Sequence, residues 1–491
     1  MAFSSTSIGQ TAQDAMFFSR ESIIGTARFS AMSGAFGAVG GDLSAVHLNP
    51  AGAAIFNNNQ MAVSLSNYNI SNKSDYFGSK STAKVNTFDL NQLGAVWIFN
   101  DASKKSNWNK IAITTNFQTT AIFDNALFST GINPSQNISN YFLSYANGVS
   151  LPGINSYPYE DLSYAEQQTY LGYQGYLINP IVGNTNNQYE SNVSKTGNYF
   201  QQHRTKSTGY NSQFTLNLAA NYKKNYYFGA NLNFHFLDYT KSTSFYEDYY
   251  GVVPANTLLT GVQSINFDND LHTYGGGISL NIGAIAKVTP NFRAGIAYQT
   301  PTWYALNDEL QQTLKVDCPD CNLSNGNPFF ADPELKIIYP LYKLQTPSKT
   351  TASLAYIFGK NGLLSFDYIL KNYASARFNP KNDFESANKN IETTFANTGE
   401  IRVGGEFKIK QWSGRGGYRT EQSPFKNGNS IGKLQSYSAG FGYSWGATKL
   451  DFAYILSQNT AQNRFFNKGF TDFANINSKT TLLTATLLFE F

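Results

Sequence analysis

The chain has 491 residues and a net charge of +4, and only 14% of its residues are charged, against about 25% in an ordinary globular chain. Phe, Tyr and Trp make up 15%, a mix that suits pleated sheet better than helix. The small, dispersed charge excludes a nucleic-acid partner. No apolar run is long enough for a transmembrane helix, and two cysteines exclude a disulfide-stapled scaffold.

The opening residues, MAFSSTSIGQTAQD, lack the apolar h-region of a signal peptide, so an exported protein would be met here in its mature form. Residues 33–52 read SGAFGAVGGDLSAVHLNPAG, with Gly34, Gly37, Gly40 and Gly41 crowded into a nearly neutral stretch. The spacing G-x-x-G-x-x-G and the missing strand–turn–helix context argue against a nucleotide-binding loop. The segment DLSAVHL has the makings of one helical turn, capped by Asp42 and stopped by Asn49 ahead of Pro50. Nothing alternates before residue 59.

From there the chain alternates with a period of two. In YFGANLNFHF, Phe228, Ala230, Leu232, Phe234 and Phe236 share one face, and Tyr227, Gly229, Asn231, Asn233 and His235 the other. FRAGIAYQ and IRVGGEFKIK repeat the pattern. Such segments place strands at 60–71, 86–100, 109–122, 208–222, 225–241, 271–288, 291–300, 349–358, 362–377, 399–409, 412–421, 434–445, 448–458 and 480–491. Connections alternate between long (72–85, 123–207, 242–270, 301–348, 378–398, 422–433, 459–479) and short, the short ones including Gly- and Asn-bearing turns such as GKNG at 359–362. An even number of strands with short turns at one end predicts an all-β fold, a 14-stranded antiparallel transmembrane β-barrel. The mean hydropathy of −0.34 is compatible with it, because lipid-facing and lumen-facing residues alternate. A soluble sandwich would need shorter strands and inner faces free of Arg, Asp and Lys.

Trp97, Trp108, Trp412 and Trp445 fall near the short-turn ends, where an aromatic belt meets the membrane interface. The longest connection, 123–207, holds two helical stripes. One is Ile138, Tyr141, Phe142 and Tyr145; the other is Leu162, Ala165, Thr169, Tyr173 and Tyr176. In 301–348, Cys318 and Cys321 form CPDC without a thioredoxin-like helix start, so a loop disulfide is expected ahead of free thiols or metal. The third strand, KIAITTNFQTTAIF, has no Gly or Pro to kink it and sets Thr115 and Thr119 toward lipid.

Parity places Arg293, Asp367, Lys371, Arg402, Glu406, Arg415, Arg419 and Asp451 on the lumen side. They read either as a network anchoring an internal segment or as an ordinary polar lumen. Of His47, His203, His235 and His272, none stands in a Ser–His–acid pattern or at metal-ligand spacing. No enzyme, cofactor or metal site is expected.

The glycine-rich segment ending in Asn49, Pro50, Ala51 and Gly52 just before the first strand resembles the FadL/TodX transporters of Gram-negative outer membranes. So do TPNFRAGIAYQTP, SFDYIL, RVGGEFKI followed by GRGGYRTEQSPF, and YSAGFGYSW. The resemblance implies a barrel of residues 59–491 with residues 1–58 folded inside as a hatch. It further implies passive transfer of a hydrophobic small molecule, such as a long-chain fatty acid, into the lipid bilayer through a gap in the wall. The family also includes non-transporting barrels that serve as scaffold or adaptor subunits of outer-membrane complexes, which leaves complex partners open. The glycines suit a plug, since they let backbone approach backbone in a narrow lumen.

Overall fold

A computed structural model describes residues 10–102, 106–181, 187–193, 197–249, 261–318, 321 and 328–491; residues 1–9 of the expected internal segment lie outside these. The fold is a closed 14-strand antiparallel β-barrel. Its wall runs through β1 (Gln60–Tyr76), β2 (Ser79–Asn100), β3 (Trp108–Ile122) with its continuation β4 (Asn125–Asn133), β5 (Tyr199–Tyr222), β6 (Tyr226–Asp248) and β7 (Ser264–Lys287). It continues through β8 (Phe292–Gln299) and its extension β9 (Trp303–Asp317), then β10 (Tyr342–Gln345) and β11 (Lys349–Phe358), which share one line. The remaining strands are β12 (Gly362–Asn372), β13 (Asn397–Ile409), β14 (Trp412–Glu421), β15 (Leu434–Ser444), β16 (Thr448–Arg464) and β17 (Phe473–Glu490). β17 closes on β1 from Gln60↔Glu490 to Asp75↔Asn475. No helix of the described residues is long and apolar enough to cross a membrane.

The alternation has a direct physical cause. On β6, Tyr226, Phe228, Phe234 and Phe236 are exposed on the outside, while Tyr227, Asn231, Asn233 and His235 are buried inside. Beyond Phe236 the outward positions turn polar, beginning with Asp238 and Thr240. At ~3.3 Å per residue and a tilt of about 40°, residues 226–236 cover about 25 Å, the height of a lipid-facing band. The exposed Trp97, Trp108, Trp412 and Trp445 stand at its short-turn edge.

Above that band the strands run on far past their expected ends. The expected loop 72–85 is instead a continuation of β1 and β2, joined by a two-residue turn at Phe77 and Gly78 with φ of 47° and 81°, the hairpin geometry that matches strand twist. The expected loop 123–207 contains β4 and the start of β5, and 301–348 contains β9 and β10. There the outward face is wet and the inward face buries polar residues such as Asn72, Ser74 and Asn133 beside apolar ones, so the hydrophobic alternation fades while the backbone ladder continues.

The lumen is filled from two sides. Residues 10–58, with α1 (Ala12–Phe18), α2 (Ala27–Ala31), α3 (Ala45–Leu48) and a 3-10 turn over Pro50–Ile55, lie inside the wall. The connection between β4 and β5 supplies α4 (Ser139–Ala146), α5 (Leu151–Ser156) and α6 (Tyr164–Gln174). These pack with Phe245, Phe267 and Phe470 into an apolar cap over the mouth. The first helical stripe is buried there through Ile138, Tyr141 and Phe142. The second holds in part: Leu162 and Thr169 are buried, but α6 turns Gln167, Gln168 and Leu171 inward with Thr169 and leaves Ala165 and Tyr173 half-buried. The reason is polar: Gln168 donates to Gln312 of the wall at 2.6 Å.

Candidate functional site

The glycine segment forms a chain of tight turns. Gly40 and Gly41 have φ of 61° and 65°, and a Cβ on Gly40 would stand 2.8 Å from the Gly52 Cα, so the two ends of the segment touch backbone to backbone. Asn49 organises the turn: its Oδ1 accepts from the Ala51 N–H at 3.1 Å, and its Nδ2 donates to the Gly37 carbonyl at 2.7 Å and the Ala284 carbonyl at 3.3 Å. Asp42 caps the turn that opens the following helix: the helix proper starts at Ala45 behind Ser44, and the Asp42 carboxylate accepts from the Ser44 N–H (2.9 Å) and also from the Thr26 hydroxyl (2.8 Å).

The wall meets this segment with asparagines and glycines that alternation alone does not single out. Asn217, Asn231 and Asn281, from three adjacent strands, donate to the carbonyls of Pro50 (3.1 Å), Val46 (2.8 Å) and His47 (2.9 Å). Each sits between lipid-facing apolar neighbours, as in Leu216-Asn217-Leu218, and that is the signal from which they could have been found. Beside them Gly229 and Gly283 leave room for the Asn49–Ala51 backbone.

The eight lumen charges divide into two groups. Four touch the internal segment. Arg293 donates to the Val39 carbonyl at 2.9 Å, and Arg402 to the Gly34 carbonyl at 3.4 Å. Asp367 accepts from the N–H groups of Phe36 (2.9 Å) and Gly37 (3.1 Å). Glu406 takes the Arg28 guanidinium at 2.8 and 3.1 Å. The other four pair within the wall. Arg415 lies between Glu406 (2.7 Å) and Asp451 (2.6 Å), and Lys371 and Arg419 are each shared by Glu400 and Glu421. Glu400 and Glu421 share the lumen parity of Arg402 and Arg419, so the same count would have added them; Arg28 lies where no alternation operates.

Glu21 of the internal segment faces Lys349 at 2.5 Å and His47 at 3.4 Å. Burial opposes its charge, yet the Lys349 ammonium and His47 hold its carboxyl well below the usual carboxylate range. A depressed carboxylate contributes stability above its unfolded pKa and loses it only as pH falls through the depressed value. Lowering the pH from neutral to about 5 is therefore expected to leave this contact intact. Glu21→Gln should break it at neutral pH, read as faster proteolysis of residues 10–58 in the folded barrel.

Among the described residues the wall is interrupted between β2 and β3. β2 and β3 pair from Asn100↔Lys110 to Gln92↔Gln118, and there the ladder stops. β2 shifts register against β1 beside Asn91, and β3 bulges at Thr119/Ala121. β4 then follows β5 and passes inside β1, where Asn72 donates to Asn125 (2.6 Å) and Ser74 meets Ser129 (2.7 Å). Residues 79–91 of β2 thus have no backbone partner on this side among the described residues. Side chains alone close the seam: Thr87 donates to Asp124 at 2.5 Å, Thr119 to Asp89 at 3.3 Å, and Ser81 to the Phe128 carbonyl. The third strand therefore breaks without Gly or Pro. Thr115 is half-exposed as expected, but Thr119 is buried against Asp89 rather than facing lipid.

Inside the seam, α1 sets Phe17 and Phe18 against Phe123 and Tyr239, with ring centroids 4.9–5.9 Å apart. Two polar cavities lie near this aromatic cluster, one of them reaching Phe18 and both touching Glu21, Thr120 and Lys349; each has room for about a water molecule. His235 bonds Ser279 at 2.8 Å, His203 stacks on Phe465, and His272 sits outside beside Asp238. Cys318 and Cys321 are joined by a disulfide against the cap. Intact-mass analysis of the alkylated, unreduced protein is expected to find no modified thiol; two would overturn this.

No protein family and no curated protein matches the chain in sequence. Among solved structures it is similar to a FadL homologue of Pseudomonas aeruginosa (13% identity, TM-score 0.55, covering 96% of this chain and 99% of that one). It is also similar to the toluene transporter TodX of Pseudomonas putida (13% identity, TM-score 0.53, covering 95% and 98%). At this identity the likeness shows a shared fold over nearly the whole chain.

Proposed function

We propose that this barrel, with the fold of the FadL homologue and TodX, is a passive channel in the outer membrane of a Gram-negative bacterium. It would pass hydrophobic compounds such as long-chain fatty acids, and carry no enzymatic activity. The observation that supports this most is the seam between β2 and β3. Its lower edge lies within the apolar band, beside the exposed Phe88 and Leu90, and a packed aromatic cluster lies behind it. Unpaired backbone at membrane depth is tolerated only where protein covers it or it lines a passage. Residues 10–58 block the axis below, acting as a hatch, so a solute that displaces Phe17 and Phe18 from the aromatic cluster has the side wall as its exit.

The test is a closed seam. Thr87→Cys with Asp124→Cys, joined by a short bis-thiosulfonate cross-linker, is expected to lower cellular uptake of a fluorescent long-chain fatty acid to that of cells lacking the protein. A reducible linker should restore uptake on reduction. Undiminished uptake through a fully linked barrel would exclude exit by this route.

The packed cap and the water-sized cavities favour a second reading, a barrel serving as scaffold or adaptor of an outer-membrane complex. Purification with stoichiometric partners, and no uptake phenotype on deletion, would select it.

A further inference from the structure

Above the apolar band the outward surface carries its charge unevenly. On β17, β1 and β2, Lys479, Lys73, Lys80 and Lys84 are exposed, on the face opposite the buried Asn72, Ser74 and Tyr76. Ser71 pairs with Lys84 on one side and Lys479 on the other, so those two lysines stand about 10 Å apart, two strand spacings. Lys73 lies two residues further along β1. Across the seam β5 adds the exposed Arg204 and Lys206. Arg204 lies 4.6 Å over the ring of Phe128, whose carbonyl receives Ser81 from β2.

Among the described residues none of these six cations is in an ion pair, whereas the outward Lys336 and Lys449 are held by Glu309 and Glu490. Asp75 is the acid that shares their face on β1. On the neighbouring strands β6, β7 and β9 the same level is acidic, with Asp238, Asp268, Asp270 and Glu309. The basic sector therefore brackets the seam, and it sits directly above the exposed Leu65, Phe88, Leu90 and Leu483 of the same strands.

We propose that this collar binds the anionic, phosphate-bearing headgroup of a membrane lipid. The chains of that lipid lie on Phe88 and Leu90, and its phosphate spans the seam between Lys80 and Lys84 on one lip and Arg204 and Lys206 behind the other. An amphiphile with an anionic head fits the continuity of apolar band and cations; a soluble polyanion has no use for the apolar half. The inference rests on the reading that the band lies in a bilayer.

The experiment compares wild type with the Lys73→Gln/Lys80→Gln/Lys84→Gln/Lys479→Gln variant in nanodiscs of phosphatidylcholine and phosphatidylglycerol. The lipids that remain bound are counted by native mass spectrometry. Wild type is expected to enrich phosphatidylglycerol over its bulk fraction by about fivefold or more, and the variant to fall toward parity. Equal retention of both lipids by wild type, or unchanged enrichment in the variant, overturns the proposal. Displacement of the lipid by millimolar inorganic phosphate assigns a small-anion site instead and overturns it too. If wild type fails to enter nanodiscs, the bilayer reading fails and the proposal falls with it. Exposed lysines leave folding unaffected, which heat-dependent gel migration checks; a Lys80→Gln/Lys84→Gln pair is the fallback.

Discussion

Planar bilayers containing the Asp367→Ala/Glu406→Ala protein are expected to show discrete current steps where wild type stays closed. Glu406 is the wall's partner for Arg28, and it also holds Arg415; removing it leaves two buried cations short of a carboxylate. Breaking a buried pair this way costs about 3–5 kcal/mol. Asp367 accepts two N–H groups at the turn of Phe36 and Gly37, and leaving such donors buried and unpaired costs about 1–3 kcal/mol each. Both losses fall on the same side of the internal segment, while Asn217, Asn231 and Asn281 still hold the other. The expected state is a segment swung partly free rather than a collapsed barrel. Deletion of residues 10–58 gives the upper limit of conductance, and heat-dependent gel migration confirms that the barrel remains closed. A folded variant with wild-type conductance would mean that these carboxylates only line a polar lumen. Substituting Arg402 and Arg415 together is a weaker test, because Arg415 reaches the segment only through Glu406.

Filling the space beneath the Asn49–Ala51 turn should act as strongly from the opposite side. A Cβ at Gly229 would stand 2.4 Å from the Pro50 carbonyl carbon and 2.6 Å from the Ala51 nitrogen, and one at Gly283 would stand 2.1 Å from Asn49 Oδ1. These neighbours are main chain or a side chain fixed by its own hydrogen bonds, so they have little freedom to give way. Overpacking of this kind costs about 1–3 kcal/mol per site. Gly229→Val with Gly283→Val is expected to expose residues 10–58 to protease in an otherwise folded barrel. Gly414→Ala is the control, since nothing lies within 4 Å of its added Cβ. Equal protection in both would show that the segment shifts without cost and is not locked by this contact.

The fold was legible in the sequence wherever lipid pressed on one face and a packed lumen on the other. That asymmetry forces a period of two, and it told inside from outside correctly at Phe228 against Tyr227 and at Ile401 against Arg402. Where the outward face is wet and the inward face buries polar side chains such as Asn72, Ser74, Ser129 and Asn133, the rule loses its cause, which is why the hairpin at Phe77 and Gly78 and the strand β4 read as loops. Thr119 was misplaced for a different reason: it keeps its register on β5 just ahead of the bulge, but the β2–β3 ladder has already stopped there, and its hydroxyl packs on Asp89 of the seam instead of on lipid.

The candidate site was legible only as a direction. Parity turned Arg293, Asp367, Arg402 and Glu406 inward together with Lys371, Arg415, Arg419 and Asp451, without separating those that touch residues 10–58 from those that pair within the wall. That division depends on height along the barrel and on the path of the internal segment, and neither is written in any local pattern. By itself the sequence determined a wall, its two faces and a glycine-rich segment ahead of it, because these follow from local periodicity and local backbone freedom. Only the tertiary structure decided where the β2–β3 ladder stops and which asparagines, glycines and carboxylates meet that segment. Register and closure bring together residues hundreds of positions apart, such as Arg28 and Glu406, and no spacing along the chain records that distance.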